Sequence, residues 1–293
     1  MAEMKPILVH LHMFYAEMWP ELKECLKNVL PYPHEIFVTA VEPLPEIEKD
    51  AKSLSNHVHF DVVENRGFDV GPFIWLLNKV NLDDYSYIIK LHSKRDVPQG
   101  TTLGKCCDIS LGKWRKYLLA FMSDISQCIT SFEEDSTLGM ISDYRLVIKD
   151  RKDNPLIVKE NEKLLRQLKL PTENFAYVAG TMFMVRAKLF IPLKNLHLGI
   201  KDFEVSRRKT TDKLPYALEM LFGNIIVAQG FAIKDPLVPQ WRQRISPVCD
   251  YIKNFIYRKK VNGNKTTIKI FKIQVFRKIT IDLNERTGGR DYA

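Results

Sequence analysis

The sequence predicts an α/β fold in which a mostly parallel β-sheet is flanked by helices. In the N-terminal third, short β-rich runs alternate with segments of helical periodicity, which is typical of parallel strands joined by crossover helices. The runs are apolar along most of their length, as expected for strands that are covered on both faces. The pattern changes near Pro247, so we divide the chain into a globular domain, residues 1–245, and a basic C-terminal segment, residues 246–293.

The elements of the N-terminal half follow from local periodicity. In the first predicted helix, Leu22, Leu26 and Val29 fall on one face, and Pro31 ends the helix. The second helix turns its apolar residues to one side in the same way. In chain order the predicted elements are strand Ile7–Phe14, helix Trp19–Leu30, strand Ile36–Val41, strand Val58–Val63, helix Gly71–Val80 and strand Tyr87–Leu91.

The C-terminal half has longer polar connections. Asp96–Leu111 is long enough to predict a functional loop, and Arg145–Glu160 is polar and predicted to be exposed. Beyond residue 250, Lys and Arg alternate with Ile, Phe and Val around Asn262-Gly263-Asn264, which suits a β-hairpin at least as well as a helix. The remaining predicted elements are helix Trp114–Ile129, strand Leu138–Ser142, a hairpin-like segment Phe175–Val185 through Gly180, and helix Leu214–Phe222 closed by Gly223.

The formal net charge of +9 is carried by the C-terminal part of the chain. From Arg242 to Ile281 there are eleven Lys or Arg residues and one acid, Asp250, whereas residues 1–241 contain thirty-one of each sign. A nucleic-acid-binding protein would carry a basic face on its folded domain, so we predict no nucleic-acid partner. A basic segment with interleaved apolar residues instead favours contact with an anionic membrane surface.

The location of the protein follows from patterns that the sequence lacks. The N-terminal residues do not form a secretory signal, and no run of about 18 apolar residues occurs. With the basic segment, this predicts a cytoplasmic protein that is bound peripherally to the inner face of the cell membrane.

Two polar clusters follow neighbouring strands of the predicted sheet. Glu64–Asp69 comes after the third strand and His92–Lys94 after the fourth. Ligands of open α/β sheets bind outside the carboxyl ends of the strands, so both clusters lie where a ligand is expected. Asn65 and Asp69 can hydrogen-bond the ribose or base of a nucleotide, and Gly67 lets the backbone approach closely. The side chains able to meet a diphosphate are Arg66, His92, Lys94 and Arg95.

Structural roles are open for some of these residues. Asp69, with Pro72 in the turn that follows, also reads as the N-cap of a helix, a role compatible with ligand binding. A solvated loop lysine is the alternative role for Lys94.

Four motifs occur in order along roughly residues 5–235. They are ENRGFDVGPF at Glu64–Phe73, YIIKLHSK at Tyr87–Lys94, Trp114-Arg115, and AGTMFMVR at Ala179–Arg186. Upstream, the same pattern includes His12, Tyr15 and Thr39. Together these motifs resemble the rhamnan synthesis F family of bacterial glycosyltransferases.

The resemblance implies a GT-A-like, Rossmann-type fold. It also implies transfer of a sugar such as rhamnose or galactofuranose to a growing O-antigen, capsule or wall polysaccharide. The implied donor is a nucleotide sugar such as dTDP-rhamnose or UDP-galactofuranose, the implied acceptor is a lipid-linked oligosaccharide, and no further cofactor is expected. The donor-binding residues that it suggests are His12, Tyr15, Thr39, Asn65, Arg66, Asp69, His92, Lys94, Gly180 and Thr181.

The resemblance also predicts that no metal is needed. GT-A enzymes usually end the fourth strand with an Asp-x-Asp that holds a divalent cation against the donor diphosphate. Here that position reads His92-Ser93-Lys94. A lysine brings positive charge directly to a phosphate, which a carboxylate does only through a metal. We therefore expect Lys94, assisted by Arg66, to stabilise the leaving diphosphate.

The catalytic base is less firmly placed by the sequence. An inverting transferase needs a carboxylate within reach of the acceptor hydroxyl. The family tends to carry His-Ala-Leu-Glu-Arg where this chain has Tyr216 and Met220 around Glu219. The downstream candidates are Asp202, Glu204, Asp212 and Glu219. Glu219 ranks first and Asp202 or Glu204 next, and Asp69 or a group not recognised from the sequence comes last.

A second function remains possible for the same residues. A catalytically inactive binding module that organises a polysaccharide assembly complex would need the nucleotide-sugar site but no base. Measured turnover distinguishes this module from the enzyme.

Overall fold

The computed structural model describes residues 4–95, 113–150, 154–206 and 212–244, together with the backbone of short strands at 101–103, 107–109, 257–262, 265–270 and 273–279. The strands are β1 (Ile7–Met13), β2 (His34–Ala40), β3 (Val58–Val62), β4 (Tyr87–His92), β5 (Thr101–Leu103), β6 (Cys107–Ile109), β7 (Leu138–Ile141), β8 (Val147–Ile148), β9 (Tyr177–Val178), β10 (Phe183–Arg186), β11 (Ala232–Lys234), β12 (Tyr257–Asn262), β13 (Lys265–Ile270) and β14 (Ile273–Ile279).

Seven helices occur among these residues, besides short 3-10 segments. They are α1 (Trp19–Lys27), α2 (Pro45–Lys52), α3 (Val70–Lys79), α4 (Lys113–Leu118), α5 (Ile125–Glu134), α6 (Pro155–Gln167) and α7 (Leu214–Ala228). Helices α2 and α6 and strand β11 were not predicted. Among the described residues, no helix is both long and apolar enough to cross a bilayer.

The central sheet has seven strands in the order β11-β7-β10-β4-β1-β2-β3. Strands β4, β1, β2 and β3 are parallel neighbours, β11 is parallel to β7, and β10 alone is antiparallel to both of its neighbours. The predicted mixed α/β fold, with a large and mostly parallel sheet flanked by helices, is therefore confirmed. Strands β1, β4 and β7 are buried along their whole lengths, as expected where helices cover both faces of a sheet.

An aromatic cluster fills the layer between the sheet and its helices. Its four rings pack with centroids 5.3–6.3 Å apart, mostly edge to face. They belong to Phe73 of α3, Phe183 of β10, Phe190 of the 3-10 helix after β10, and Phe222 of α7. All four side chains are at most 1% exposed. This packing fixes α3 and α7 against the strands that carry the site.

Three predicted elements differ in the structure. Trp114–Ile129 is not one helix, because Asp124 caps a new helix by accepting a 2.8 Å hydrogen bond from the Gln127 amide. Phe175–Val185 is not a hairpin either. Its first strand, β9, pairs with β8 in a separate small sheet, while β10 enters the central sheet.

The helix predicted to close at Gly223 continues to Ala228. A Cβ on Gly223 would lie 2.4 Å from the Ala176 carbonyl oxygen and from the Tyr177 Cα. The glycine therefore serves close packing of α7 on the segment before β9, and does not end the helix.

The chain divides into two compact units by its contacts. One comprises Met1–Arg95 and Arg115–Val238, and the other comprises Asp96–Trp114 and Pro239–Ala293. The second unit contains the hairpin of β5 and β6 and the antiparallel sheet β12-β13-β14. The strands on either side of Asn262-Gly263-Asn264 thus pair as a β-hairpin, the first of the two conformations that the sequence left open.

Candidate functional site

A cleft of about 610 Å³ lies at the carboxyl ends of β1 and β4, in the first unit. Its walls come from the turns that follow β1, β3 and β4, from the segment before β10, and from the first turns of α7. This is the position expected for a ligand of an open α/β sheet. The predicted site residues that line it are His12, Tyr15, Asn65, Asp69, His92, Lys94, Gly180, Thr181 and Glu219.

A buried ion pair forms the floor of the cleft. Lys90, in the middle of β4, is fully buried, and its Nζ lies 2.5 Å from Asp69 Oδ2. The same ammonium donates to the Thr181 hydroxyl (3.0 Å) and carbonyl (3.2 Å), and the Thr181 hydroxyl donates to Asp69 Oδ2 (2.5 Å). Three chain segments are thereby joined at one carboxylate oxygen.

The ionisation of this pair follows from its surroundings. Burial by itself would raise the pKa of Asp69, but the neighbouring His92 and Lys90 and the hydrogen bonds from Lys90 and Thr181 hold it well below its usual range. Burial lowers the pKa of Lys90, and Asp69 opposes that shift. Asp69 is thus an anion at neutral pH. Although it occupies the N-cap position of α3, its side chain makes no capping bond and turns to Lys90 instead.

Histidines surround the ion pair and stay neutral. Burial, reinforced by Lys90, lowers the pKa of His92 to about 3, while Asp69 opposes the shift. His92 Nδ1 lies 3.3 Å from Asp69 Oδ2, and its buried Nε2 has no hydrogen-bond partner among the described residues. An unpaired buried nitrogen on a cleft wall is expected to be completed by a ligand or water.

Thr39 does not line the cleft and instead supports it from below. Its fully buried hydroxyl lies 2.9 Å from His10 Nε2 and 3.0 Å from His12 Nδ1. Because one hydroxyl carries one proton, it can donate to one imidazole while it accepts from the other. Burial lowers the pKa of His12 to about 4 and that of His10 well below its usual value, so both rings are neutral. His10 is thus both buried and hydrogen-bonded.

Ser93 joins the ends of β1 and β4. Its hydroxyl accepts hydrogen bonds from the Phe14 and Tyr15 amides, both at 2.8 Å. The turn after β1 is therefore held against the end of β4, which places Tyr15 on the wall of the cleft.

Glu219 faces the cleft from α7. Its Oε1 accepts a 2.7 Å hydrogen bond from the Gly180 amide. Burial raises the pKa of Glu219 above its usual value; the Gly180 hydrogen bond opposes this, and the nearby Asp69 adds to it. Gly180 and Thr181 both have positive φ, +86° and +52°, and for the β-branched Thr181 this conformation is strained. Strain is stored where the backbone turns towards the two carboxylates.

The turn after β3 depends on its glycines. Gly67 has φ +68°, and a Cβ there would lie 2.5 Å from the Phe203 ring. A Cβ on Gly71 would lie 2.1 Å from the Arg66 carbonyl oxygen. Phe68 follows with φ +55°, and its amide donates to the Ser206 hydroxyl at 2.8 Å. The ENRGFDVG string is thus a tight turn that presents Asn65 and Asp69 to the cleft.

Arg66 and Lys94 differ in whether their side chains can contact a ligand in the cleft. The Arg66 guanidinium donates to the Phe203 carbonyl (2.7 Å) and pairs with Glu64, and it does not line the cleft. The predicted diphosphate contact of Arg66 therefore finds no support in the geometry. Lys94 lines the cleft and has no ion pair or hydrogen bond within the described part of the chain. Arg95 pairs with Glu17 and stacks on Tyr15.

The other candidate bases have structural partners. Asp202 accepts from the Gly199 amide at 2.7 Å, and Asp212 accepts from the amides of Glu204 and Leu214, both at 3.0 Å. None of these acids lines the cleft, and the carboxylates that do so among the described residues are Asp69 and Glu219. Within the described ranges, no group of three or more His, Cys, Asp or Glu could hold a metal ion.

Lys90 is the site residue that sequence reasoning missed. Polar clusters at strand ends predict the other site residues, whereas Lys90 lies inside the apolar run YIIKLH. A lysine in the middle of a buried strand is itself a signal, because a buried charge requires a partner.

The chain is similar in sequence to a protein of Xanthomonas campestris. The protein WxcX of Xanthomonas campestris pv. campestris, which carries no functional description, is 21% identical over 236 residues in strains B100 and ATCC 33913. This match covers 77% of the present chain and 32% of WxcX, so the chain spans about one third of the length of these relatives. The crystal structure of S. aureus TarS residues 1–349 aligns over 94% of the present chain and 100% of that TarS chain, at 10% identity and a TM-score of 0.31.

The family assignment rests on a match to a family model. The family model described as rhamnan synthesis protein F matches residues 1–231, which include β1 to β10, α7 and all the predicted site residues. This confirms the resemblance carried by the four motifs, and the chain belongs to the rhamnan synthesis protein F family.

Proposed function

We propose that this protein is a glycosyltransferase of polysaccharide synthesis that uses a nucleotide-sugar donor. Family membership supports a role in polysaccharide synthesis, and the residues of the cleft support sugar transfer from a nucleotide donor. The observation that carries the proposal is the placement of three groups around one cleft at the carboxyl ends of parallel strands: the Lys94 ammonium, which has no ion pair among the described residues, and the carboxylates of Asp69 and Glu219. Such a cleft has a cation for a diphosphate and acids for hydroxyl groups.

Lys94 stabilises the leaving group in this proposal. Cleavage of the bond between the anomeric carbon and the diphosphate oxygen leaves an electron pair on the diphosphate, whose negative charge grows in the transition state. A cation fixed beside that charge lowers the barrier without a metal. Lys94 is free to do so because no acid in the described part of the chain neutralises it.

Glu219 is the proposed base. For an inverting transfer, the acceptor hydroxyl oxygen bonds to the anomeric carbon while its proton moves to the Glu219 carboxylate. Burial raises the pKa of Glu219 and makes the carboxylate a stronger proton acceptor than an exposed glutamate. The hydrogen bond from Gly180 holds Oε1 in place, so Oε2 is the proposed proton acceptor.

The aromatic residues of the cleft suit the sugar rings. Phe14 and Tyr216 are 48% and 41% exposed, and the Phe68 ring lies 6.1 Å from that of Tyr216. Tyr216 precedes Glu219 by one helical turn on the same face of α7. This arrangement favours an acceptor saccharide packed on Tyr216 with one hydroxyl at Glu219. The proposed acceptor is a lipid-linked oligosaccharide, and the proposed donors are dTDP-rhamnose and UDP-galactofuranose.

A ligand screen followed by a turnover assay tests the function. Nucleotide sugars are added to the full chain, and a donor that binds only the folded state raises Tm. Release of nucleoside diphosphate with lipid-linked acceptors is then measured. We expect one nucleotide sugar both to raise Tm and to yield free nucleoside diphosphate when the acceptor is present. Binding without release would favour the assembly module, and the failure of every nucleotide sugar to bind would overturn both functions.

Metal independence is part of the proposal. The motif His92-Ser93-Lys94 supplies positive or neutral groups where an acidic pair would hold a cation. Donor binding and transfer should therefore persist in excess EDTA. Loss of transfer in EDTA, restored by Mn²⁺ or Mg²⁺, would contradict it.

Docking on an anionic membrane is proposed for the C-terminal sheet. Between β12 and β13, Arg258 lies opposite Lys269, and Lys260 lies opposite Thr267. Thr267 in turn lies opposite Arg277 of β14. Since alternate positions share a face, basic residues gather on one side of this sheet. Five basic positions fall on that face: 258, 260, 265, 269 and 277. We name these five positions the basic face, and we propose that it lies on the inner leaflet of the cell membrane.

A further inference from the structure

The contacts of Asp69 are distributed unequally between its two oxygens. Oδ2 accepts from Lys90 Nζ and from the Thr181 hydroxyl, both at 2.5 Å, and lies 3.3 Å from His92 Nδ1. Oδ1 has no partner in the part of the chain that the structure describes. The side chain is 21% exposed, and it lines the cleft. One oxygen thus anchors the carboxylate and the other is left for a ligand.

Core stability does not explain this ion pair. Replacing a buried ion pair by apolar side chains of similar volume is often neutral or stabilising. The neighbours of Lys90 on β4 are the apolar Ile88, Ile89 and Leu91, so an apolar residue would suit the strand. A buried lysine at this position therefore indicates a function served through its partner.

Lys90 does not act on a ligand directly. Its side chain is 0% exposed and does not line the cleft, whereas Asp69 does. Its ammonium also lies 5.4 Å from the centroid of the Phe73 ring, inside the aromatic cluster. Lys90 is accordingly a positioning residue.

We propose that Lys90, together with Thr181, holds Asp69 as an oriented anion whose Oδ1 accepts a hydrogen bond from a hydroxyl group of the nucleotide-sugar donor. This rests on the proposed function for the identity of the ligand only. A carboxylate oxygen that accepts from a sugar or ribose hydroxyl forms a charge-assisted bond, roughly twice as strong as a neutral one. It also rejects analogues that lack the hydroxyl.

The charged and titratable groups around Asp69 define the pH experiment. Lys90, His92 and Lys94 face it from β4 and its end, His10 and His12 from β1, and Glu219 from α7. Burial of Asp69 favours its neutral form, and Lys90 is the ammonium paired with it. Without Lys90, burial prevails and the carboxyl should protonate at a higher pH.

The first test needs no ligand. The Asp69 carboxyl carbon is titrated by ¹³C NMR in the full chain and in the Lys90→Met variant, in which an unbranched apolar side chain replaces the lysine. We expect wild-type Asp69 to stay ionised to acid pH, and Lys90→Met to shift its titration upward by at least one pH unit. An unchanged titration would overturn the positioning role even if the protein is a glycosyltransferase.

The second test uses dTDP-rhamnose and UDP-galactofuranose as probes. With the donor that binds, Lys90→Met should weaken affinity several-fold more at pH 5 than at pH 8, because Asp69 protonates at a higher pH in the variant than in the wild type. Asp69→Asn should weaken it equally at both pH values, and Lys90→Met/Asp69→Asn should bind no worse than Asp69→Asn. Additive losses in the double variant would show that Lys90 acts elsewhere.

Two further variants cover the case in which Lys90→Met does not fold. The double variant leaves no uncompensated buried charge and should fold. Thr181→Val removes one donor to Asp69 while it keeps the ion pair and the volume, and it should raise the donor Kd several-fold without changing the acceptor KM. A Thr181→Val variant that binds the donor as the wild type does would contradict the proposal.

Discussion

At the scale of single residues, the cleft holds two carboxylates whose surroundings shift their pKa values in opposite directions. Burial raises the pKa of Glu219, whereas the neighbours of Asp69 outweigh its burial and lower its pKa. Pairs of titratable groups separated in this way commonly divide the chemical roles of a site. Here the division assigns the proton to Glu219 and a permanent charge to Asp69.

The Glu219→Gln variant should lose turnover and gain stability. Gln keeps the shape and can still accept from the Gly180 amide, but it cannot take a proton, so kcat should fall about 10²–10⁴-fold while donor affinity is kept. Folding raises the pKa of Glu219, so the ionised carboxylate opposes folding at neutral pH. The variant should therefore have a higher Tm than the wild type at pH 8.

The pH dependence of the Tm increase in Glu219→Gln provides the control. Below the unfolded pKa of glutamate both states are protonated, so the Tm difference should vanish near pH 4. A drop in turnover of less than tenfold would move the base assignment to another acid. An equal Tm difference at both pH values would contradict the raised pKa.

Lys94→Ala should reduce turnover while leaving the fold intact. A charge-assisted contact to phosphate contributes about 1.5–3 kcal/mol, or roughly one to two decades in rate. Lys94→Arg should rescue only part of the loss, since its planar group occupies a different point. Lys188→Ala, at an exposed lysine away from the cleft, serves as the matched control. Unchanged kinetics in Lys94→Ala would identify Lys94 as a solvated loop lysine.

At the scale of elements, close packing of α7 positions the base. Gly223 lies two turns beyond Tyr216 and lets the helix approach Ala176 and Tyr177, just before the Gly180 amide that holds Glu219. The position of the catalytic carboxylate therefore depends on a glycine that does not line the cleft.

Gly223→Ala should destabilise the protein by about 1–3 kcal/mol, although alanine is the better helix former. The added Cβ would lie 2.4 Å from backbone atoms, which cannot move as a side chain can. Gly199→Ala is the matched control, because its Cβ would meet only Asp202 Oδ2, at 3.8 Å, and it should change stability by less than about 0.5 kcal/mol. Chemical denaturation measures both, and equal stabilities would refute the packing argument.

The elements differ in how far the sequence predicts them. Apolar runs and helical periodicity correctly located β1 to β4 and α3, and the carboxyl-end rule correctly gathered Asp69, His92 and Lys94. Periodicity could not show that β10 is antiparallel, because strand direction is set by tertiary pairing. Helix α6 was missed because polarity was given more weight than its Asn154-Pro155 start, in which Asn154 caps the Leu156 amide. Lys90 was missed because its partner is distant in sequence.

At the scale of the whole molecule, charge and chemistry lie in different units. The cleft belongs to the unit of Met1–Arg95 and Arg115–Val238, and the basic face belongs to the unit that contains Pro239–Ala293. Variants can therefore test docking and catalysis independently.

Arg258→Gln/Lys269→Gln should weaken binding to anionic vesicles and spare transfer to a soluble acceptor. Each basic residue near an anionic leaflet contributes about 1 kcal/mol, so the pair should weaken binding roughly 30-fold. Lys259→Gln/Lys278→Gln removes the same charge from the opposite side of the sheet and should have a smaller effect. Co-sedimentation with phosphatidylserine vesicles at two salt concentrations measures both variants, and equal or salt-independent effects would refute the membrane proposal.

The place of β10 in the sheet also has a consequence while the protein chain is being made on the ribosome. Strands β1 to β4 are complete by His92, but the partner that covers the open edge of β4 is made much later, since Thr181 follows Lys90 by 91 residues. At about 5–20 residues per second, that edge stays unpaired for roughly 5–18 s on the ribosome. A lysine in an open apolar strand disfavours pairing with another chain. The side chain that later holds Asp69 is therefore also expected to disfavour pairing of the nascent sheet with another chain.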